Sequence, residues 1–401
     1  MMGGTYGRRV VVVAGPGNNG ADGRVAAEML SRRGVRTWVI APDGAEVPAG
    51  ADLVIDAAYG TGLRRPFDFP SGGATTPTLA VDIPSGVDGL TGAICGSPRA
   101  ADRTVTFAAL KPGLILEPGR SFCGAVEVVD IGLDVGRAAA DLVERTDVSR
   151  WLPRRPPQAH KWHHAVRVIG GSEPMTGAPR LAARAAQRTG AGYVQVAIPG
   201  RAGVDDPIEA VGHPLPPTGW GGAASADVDR LGAVLLGPGL GAGHESDIAA
   251  VLEIDRPLVV DGDALQPEYL PGLAERRAPT ILTPHGGEFA RLTENSAGDP
   301  IEAVRTLASR ARAVVVHKGP TTVVAAPDGA VLVVANGGPA LATAGTGDVL
   351  AGAIAALLAQ DVAPLRAGAV AAWVHAEAGR DVAGLVASDL PDRMATLLAE
   401  L

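Results

Sequence analysis

Short aliphatic runs recur along the chain, each bounded by glycine, proline or asparagine. Arg9–Ala14 (RVVVVA) is apolar on both faces, the pattern of a strand buried inside a parallel sheet. Val25, Ala26, Met29 and Leu30 then fall at helical spacing, and Gly34 closes a helix expected over Arg24–Arg33. Further strands are expected at Val35–Ala41, Leu53–Asp56, Leu79–Ile83, Thr104–Ala108 and Ala125–Val129. Glu144–Pro157 breaks the pattern: it is rich in proline and arginine, lacks periodicity and reads as a linker. The alternation then restarts. Strands are expected at Ala165–Ile169, Tyr193–Ala197, Ala233–Leu236, Leu258–Val260 and Val314–Val316, with a helix over Pro179–Arg188. Thr322–Ala326 and Val331–Val334 read as a hairpin around Pro327, Asp328 and Gly329. An Ala-rich helix follows from Leu365 to about Val382. Strand–helix–strand alternation predicts an α/β protein with parallel sheets and ligand crevices at the carboxyl ends of the strands.

The stretch Asn336–Gln360 begins as a glycine-rich loop and ends as an apolar helix. Gly345, Thr346 and Gly347 let successive amides converge, and a helix N-terminus adds positive partial charge, so the spacing predicts an anion hole suited to phosphate. Asp348 sits in the first turn. It suits a helix cap and equally a general base beside a bound phosphate, and the loop by itself leaves both open.

Composition narrows the class. The chain has 401 residues, 46% hydrophobic and 19% charged, enough for two or three domains with large cores. Aromatics make up 3% and the net charge is −8, which argues against a nucleic-acid partner. Two cysteines, Cys95 and Cys123, make no disulfide framework, so a cytoplasmic setting is expected. No apolar run reaches the ~20 residues that span a bilayer. A strand-like run starts already at Val10, so neither a membrane anchor nor a signal peptide is expected.

Polar motifs fall just after strands. Asn18 and Asn19 follow the first strand, Asp56 ends another before Gly60–Pro66 (GTGLRRP), and Asp82 and Ser85 lie in VDIPSGVDG. Converging Asn, Asp and Ser oxygens suit a hard cation, and they are also ordinary turn chemistry; spacing favours the turns. GPGLG (Gly237–Gly241) follows a strand, LTPHGGEFARL places His285 in a loop with Glu288 near a helix start, and HKGPTT begins at His317. The run His160–His164 (HKWHH) lacks zinc-site spacing and reads as a loop in which Lys161 or His164 touches a ligand.

These runs carry a resemblance. VIGGSEPMTGAP, GAGYVQVAIP, LLGPGLG, LTPHGGEF, VVVHKGPTTVV and LATAGTGDVLAG, in that order, resemble the ADP-dependent NAD(P)H-hydrate dehydratases of the ribokinase-like superfamily. GPGNNGADG, VIDAAYGTGLRRP, VDIPSGVDGLTG and TVTFAALKPG resemble the NAD(P)H-hydrate epimerase domain. The resemblance implies a Rossmann-like parallel-sheet domain over residues 1–147 and a ribokinase-like α/β domain over 148–401. The implied chemistry is repair of NADH or NADPH hydrated across the nicotinamide 5,6 double bond. One domain interconverts the C6 epimers; the other dehydrates the S epimer at the expense of ADP or ATP, with Mg2+ on the nucleotide.

The implied roles follow the matching positions. Asp348 is the dehydratase base and, with Ala178, Gly239 and His285, meets the hydrate. Gly347 meets the nucleotide phosphate, and Lys318, Gly319, Pro320, Thr321 and Thr322 bind the nucleotide. In the epimerase part Asn19, Asp56 and Ser85 ligate potassium. Asn18, Asn19, Gly20, Ala21, Asp22, Gly60, Thr61, Gly62, Leu63, Arg64, Arg65, Pro66 and Asp82 hold the hydrate, and Asp82 is the acid/base. Ala21 stands where the family has glycine, and Trp162 where the dehydratases have HKG. Only nine residues precede Val10, where the family has helices, so one face of the first sheet is expected to lack helical cover. A homo-oligomer is implied. Two alternatives remain: a ribokinase-like small-molecule kinase, and a dehydratase whose first domain is a non-catalytic scaffold.

Overall fold

The computed structural model describes residues 1, 4–136, 138–294 and 298–401. The chain divides into two compact units, Met1–Ala138 and Ala139–Leu401.

In the first unit the strand Arg9–Ala14 pairs in parallel with Arg36–Ile40 on one side and Leu53–Ala57 on the other. Thr78–Val81, Arg103–Phe107 and Ala125–Val129 continue outward, giving a six-stranded, all-parallel sheet. Sequence order reverses at Arg9–Ala14, the switch point where such sheets open a crevice at their carboxyl ends. Val10, Val12 and Ala14 pack on Ala27 and Leu30 of the helix Asn18–Arg32. Val11 and Val13 face the other way, onto Val47, Val54 and Phe67, with Trp38, Tyr59 and Phe69 around them. Phe67, Tyr59 and Phe69, from a short strand and loops, cover part of that face.

The helix begins at Asn18, not at Arg24 as the apolar spacing suggested. Only Gly15–Gly17 remains loop, because Gly20 and Gly23 let the helix sit against the sheet: a Cβ at Gly20 would lie 1.9 Å from the Gly15 carbonyl, and one at Gly23 2.4 Å from Ala57 Cβ. Ala21 is exposed on the second position after Asn19, at a helical backbone conformation that accepts a Cβ.

In the second unit Ala165–Ile169 lies between Tyr193–Ala197 and Ala233–Leu236, all parallel. Leu258–Val260, Thr280–Leu282 and Val314–His317 extend the parallel run. The hairpin Thr322–Ala325 and Val331–Val334 adds antiparallel pairs, and Asp141–Leu142 closes the edge of a ten-stranded sheet. That edge strand and the helix Arg145–Trp151, capped by Glu144 and Asp147, belong to this unit. The segment expected as linker is thus partly folded: Val148 enters the core, as does Val143 just before it, a contribution too short to show as periodicity.

One sheet face, built by Val166, Val168, Val194, Val196, Leu235, Val259 and Ile281, packs on the helices Gly177–Arg188, Thr346–Ala359 and Pro364–Ala378. From Val349 to Ala359 every residue of the Thr346 helix is buried, so its apolar surface runs all round. Ala and Gly let its neighbour approach closely. A Cβ on Gly352 would lie 2.0 Å from the Ala182 carbonyl. Gly352→Ala is therefore expected to force the two helices apart and cost about 2–3 kcal/mol, measured as a lowered denaturation midpoint with the glycine-rich loop sequence untouched.

Candidate active sites

The glycine-rich run ends in a left-handed residue. Gly345 caps the Thr346 helix at φ 91°, and a Cβ there would lie 2.6 Å from Leu181 Cδ1. No other residue fits on both counts. The first-turn amides that follow have no acceptor within the helix and point out of its end. Two ties hold the run in shape. At its start the Asn336 amide donates to the Trp373 carbonyl and to Glu377 Oε2, both at 3.1 Å. At its end His375 Nε2 lies 2.9 Å from the Thr346 carbonyl. Burial pushes His375 down to about 4, so its ring is neutral at pH 7 and Nε2–H donates. The helix Pro364–Ala378 thus grips both ends of the anion loop.

Lys318 lies over that helix end. Its Nζ would be 3.3 Å from a Cβ on Gly347, and it pairs with Asp261 Oδ1 at 2.7 Å. Thr283 Oγ1 donates to the same oxygen at 2.6 Å. Burial works against the Lys318 charge, but Asp261, Glu288 and Asp348 hold the ammonium above its usual value. Burial pushes Asp348 up to about 7, assisted by Asp261 and opposed by Lys318. A carboxyl poised there can take a proton at neutral pH.

The remaining predicted residues form the rim. His285 caps the helix Gly286–Leu292: its Nδ1 accepts from the Gly287 amide at 3.0 Å, and Glu288 Oε2 accepts from the His285 amide at 2.8 Å. A backbone bridge seats His285 beside Lys318. Gly239, at φ 62°, lies against Ala178; a Cβ on it would come within 2.9 Å of Ala178 Cβ. Ser172 Oγ fixes the Gly239 carbonyl at 3.0 Å, and Asp263 accepts from the Gly241 amide at 2.8 Å. Asp263 also bears on the Asp348 charge, so this shelf lies toward Asp348. Beyond Lys318, Gly319 and Pro320 are exposed, whereas Thr321 and Thr322 are buried as the hairpin strand begins.

Neither Lys161 nor His164 joins this cluster. Lys161 lies against the rings of Trp162 and Tyr193, themselves 4.2 Å apart. His164 Nδ1 bonds to the Ala359 carbonyl at the far end of the Thr346 helix, roughly 20 Å from its N-terminus by helical rise.

The first unit holds a second cluster at the carboxyl ends of its strands. Asp56 is fully buried; Ser85 donates to it through both its hydroxyl (2.6 Å) and its amide (2.8 Å). Burial nevertheless raises Asp56 to about 6. The Ser85 hydroxyl also lies 3.0 Å from the Tyr59 carbonyl. Asn19 has both side-chain amide atoms buried without a hydrogen-bond partner, an exception among buried polar groups. Asn19 and Asp82 meet at Gly60: a Cβ on Gly60 would lie 3.6 Å from Asn19 Cγ and 3.0 Å from Asp82 Oδ2. Asp82 sits at φ 70° and pairs with Lys111 Nζ at 2.6 Å. Asn18, Ala21, Asp22, Thr61, Gly62, Arg64, Arg65 and Pro66 are exposed around this cluster, Leu63 is half-buried, and Arg65 donates to Tyr59 Oη at 3.1 Å.

Asp261, Lys111 and His375 were not among the residues expected. Asp261 carries the same signal as Asp56, an acid closing an apolar strand. Lys111 stands in the quoted run TVTFAALKPG, and His375 is hidden inside an Ala-rich helix.

Comparison with known proteins fits this geometry. The family model for NAD(P)H-hydrate dehydratase matches residues 166–398, and that for the YjeF-related protein N-terminus matches 1–49 and 41–113. The second unit is therefore a ribokinase-like domain of the hydrate dehydratase class. A ribokinase-like superfamily protein of Enterococcus faecalis shares the fold, with a TM-score of 0.57 at 22% identity over 67% of this chain and 98% of that one. An ADP/ATP-dependent NAD(P)H-hydrate dehydratase of Bacillus subtilis, co-crystallised with ATP and Mg2+, superposes with a TM-score of 0.58 at 30% identity, covering 65% of this chain and 98% of that one. A bifunctional NAD(P)H-hydrate repair enzyme of Salinibacter ruber is 37% identical, covering 98% of this chain and 87% of that protein. The chain belongs to the family of bifunctional NAD(P)H-hydrate repair enzymes. Among the described residues no helix is long and apolar enough to cross a membrane.

The raised Asp348 has a stability consequence. Its folded value lies above the ordinary 3.8, so ionising it costs the fold. Stability from this group is complete below about 4 and is lost as pH rises through about 7. Asp348→Asn is expected to raise the unfolding free energy by roughly 1–3 kcal/mol at pH 8, discounted for partial exposure, and to leave it nearly unchanged at pH 4. Urea melts at the two pH values check this.

Proposed function

We propose that the second unit phosphorylates the C6 hydroxyl of S-NAD(P)H hydrate with ADP, or with ATP, and then expels phosphate. The observation that carries this reading is Asp348, poised near neutrality in the first turn of a helix whose N-terminal amides and nearby Lys318 suit a phosphate. Asp348 takes the hydroxyl proton as the oxygen attacks the terminal phosphorus. Gly347 and Lys318 hold the charge that accumulates on the transferred group. Hydroxide leaves badly and phosphate well, so C–O cleavage follows, and loss of a C5 proton restores the ring double bond. With ADP the products are NAD(P)H, AMP and phosphate. Ala178, Gly239 and His285 line the hydrate side, and Lys318–Thr322 the nucleotide side.

Mg2+ commonly binds through substrate phosphates with one or two carboxylates. Asp263, which bears on Asp348, is of that donor type and would hold it, where it would supply charge neutralisation on the phosphates. In the first unit, the unpartnered Asn19 amide at the Gly60 turn, with Asp56 bonded to Ser85 and Ser85 reaching the preceding Tyr59, suits a hard monovalent cation. Potassium there would neutralise buried Asp56 and anchor the hydrate's phosphates. Asp82, facing the Gly60 turn, serves as acid/base for interconversion of the C6 epimers. It takes the C6 hydroxyl proton as the C6–N1 bond opens toward the conjugated ring nitrogen, and returns it on closure at the other face. Asn18–Asp22 and Gly60–Pro66 hold the rest of the hydrate. We infer a cytoplasmic setting, where reduced nicotinamide and adenine nucleotides meet; Cys95 and Cys123 are free thiols. We also infer a homo-oligomer, which light scattering tests.

The deciding assay offers NADH hydrate with ADP or ATP and follows recovery of the reduced-nicotinamide absorbance. Turnover of a vitamin-precursor alcohol alone would overturn the reading. Asp348→Asn is expected to abolish dehydration, by 10²-fold or more on the scale of general base catalysis, while calorimetry still shows nucleotide binding. In the parent enzyme kcat/KM for dehydration should fall as pH drops through about 7, because the base becomes protonated. Asp82→Asn is expected to lose epimerisation while dehydrating pure S epimer at the parental rate. Joint loss of both activities would sink the two-site scheme.

A further inference from the structure

We propose that Lys111 is a positioning residue for epimerisation, fixing Oδ1 of Asp82 so that Oδ2 alone meets the hydrate. The inference rests on the reading of Asp82 as the acid/base.

Backbone geometry sets up the pair. Asp82 leaves the strand Thr78–Val81 in the left-handed region, its amide held by the Val105 carbonyl at 2.7 Å. Ala108, at φ 64°, turns the chain back after the strand Arg103–Phe107, with the Ala109 amide bonded to the Phe107 carbonyl. Left-handed backbone at Asp and Ala carries strain that the surrounding contacts must hold. That turn returns Lys111 to the strand end.

The Lys111 ammonium then has three partners for its three protons. They are Asp82 Oδ1 at 2.6 Å, Thr106 Oγ1 at 2.7 Å and the Phe107 carbonyl at 2.8 Å. The Thr106 hydroxyl accepts from Lys111 and donates onward to Asp82 Oδ1, 3.3 Å away. Oδ1 is thus held from two sides. Oδ2 points instead toward the Gly60 turn, the place where a Cβ would come within 3.0 Å of it and where Asn19 converges. With every ammonium proton engaged, Lys111 has none to offer the substrate. Its charge and its geometry act through Asp82, keeping one oxygen anchored and the other aimed.

The test uses the full-length chain and R-NADH hydrate, with epimer ratios followed by NMR. Lys111→Met is expected to lower kcat for epimerisation by about 100-fold, the usual cost of a misplaced catalytic group, with little change in KM. Lys111→Arg should recover most of that loss, since a guanidinium also donates to Oδ1. In Lys111→Ala, added methylammonium and added guanidinium should both restore rate. Dehydration of S epimer should stay at the parental level in every variant. Parental kcat in Lys111→Met would overturn the proposal, as would loss in Lys111→Ala that neither cation restores. Rescue by methylammonium alone, with Lys111→Arg inactive, would also overturn it by making Lys111 a proton donor. Asp82→Asn run beside these separates the two levels. Full epimerisation in Asp82→Asn sinks the acid/base reading, whereas an inactive Asp82→Asn with an active Lys111→Met sinks the positioning role alone.

Discussion

A buried ammonium holds the second unit's site together. Lys318 sits among Asp261, Glu288 and Asp348, and without its charge these carboxylates would repel one another in a poorly hydrated pocket. The compensation is uneven. Asp261 takes the short contact, leaving Asp348 influenced by Lys318 yet not neutralised by it. That asymmetry separates roles between chemically identical groups: one carboxylate anchors the lysine, and another is left basic enough to accept a proton near neutrality.

The first unit repeats the logic with different parts. There too an acid following a strand meets a lysine from a neighbouring loop, Asp82 with Lys111. A second acid, Asp56, is buried with only hydroxyl and amide donors around it. Both sites exploit the same property of parallel sheets: strands end together, so loops from distant parts of the sequence deliver side chains to one crevice.

Much of this was legible in the chain. Runs such as RVVVVA and AVLL announce buried parallel strands because both faces are apolar, and the expected ones form, whereas Thr280–Leu282 is too short to have been read. The glycine-rich run that opens a helix drew attention to Asp348, whereas for Asp56 and Asp82 at strand ends spacing favoured turns and only the family resemblance supplied roles. Other parts were not readable. The start of the first helix was masked by Gly20 and Gly23, which look like loop residues and serve as close-packing positions. The helix Arg145–Trp151 is too short for periodicity to reveal. Asp261, Lys111 and His375 act through partners distant in sequence, and single-residue spacing carries no trace of such pairings. Trp162 and Lys161 drew notice by composition yet form a stack remote from the anion loop.

The loop that begins at Asn336 is shaped by groups that come later in the chain, at Trp373, His375 and Glu377. A growing polypeptide emerging from the ribosome therefore exposes its glycine-rich turn before the residues that brace it. A molecule lacking Trp373, His375 and Glu377 therefore has no such brace at either end of that turn.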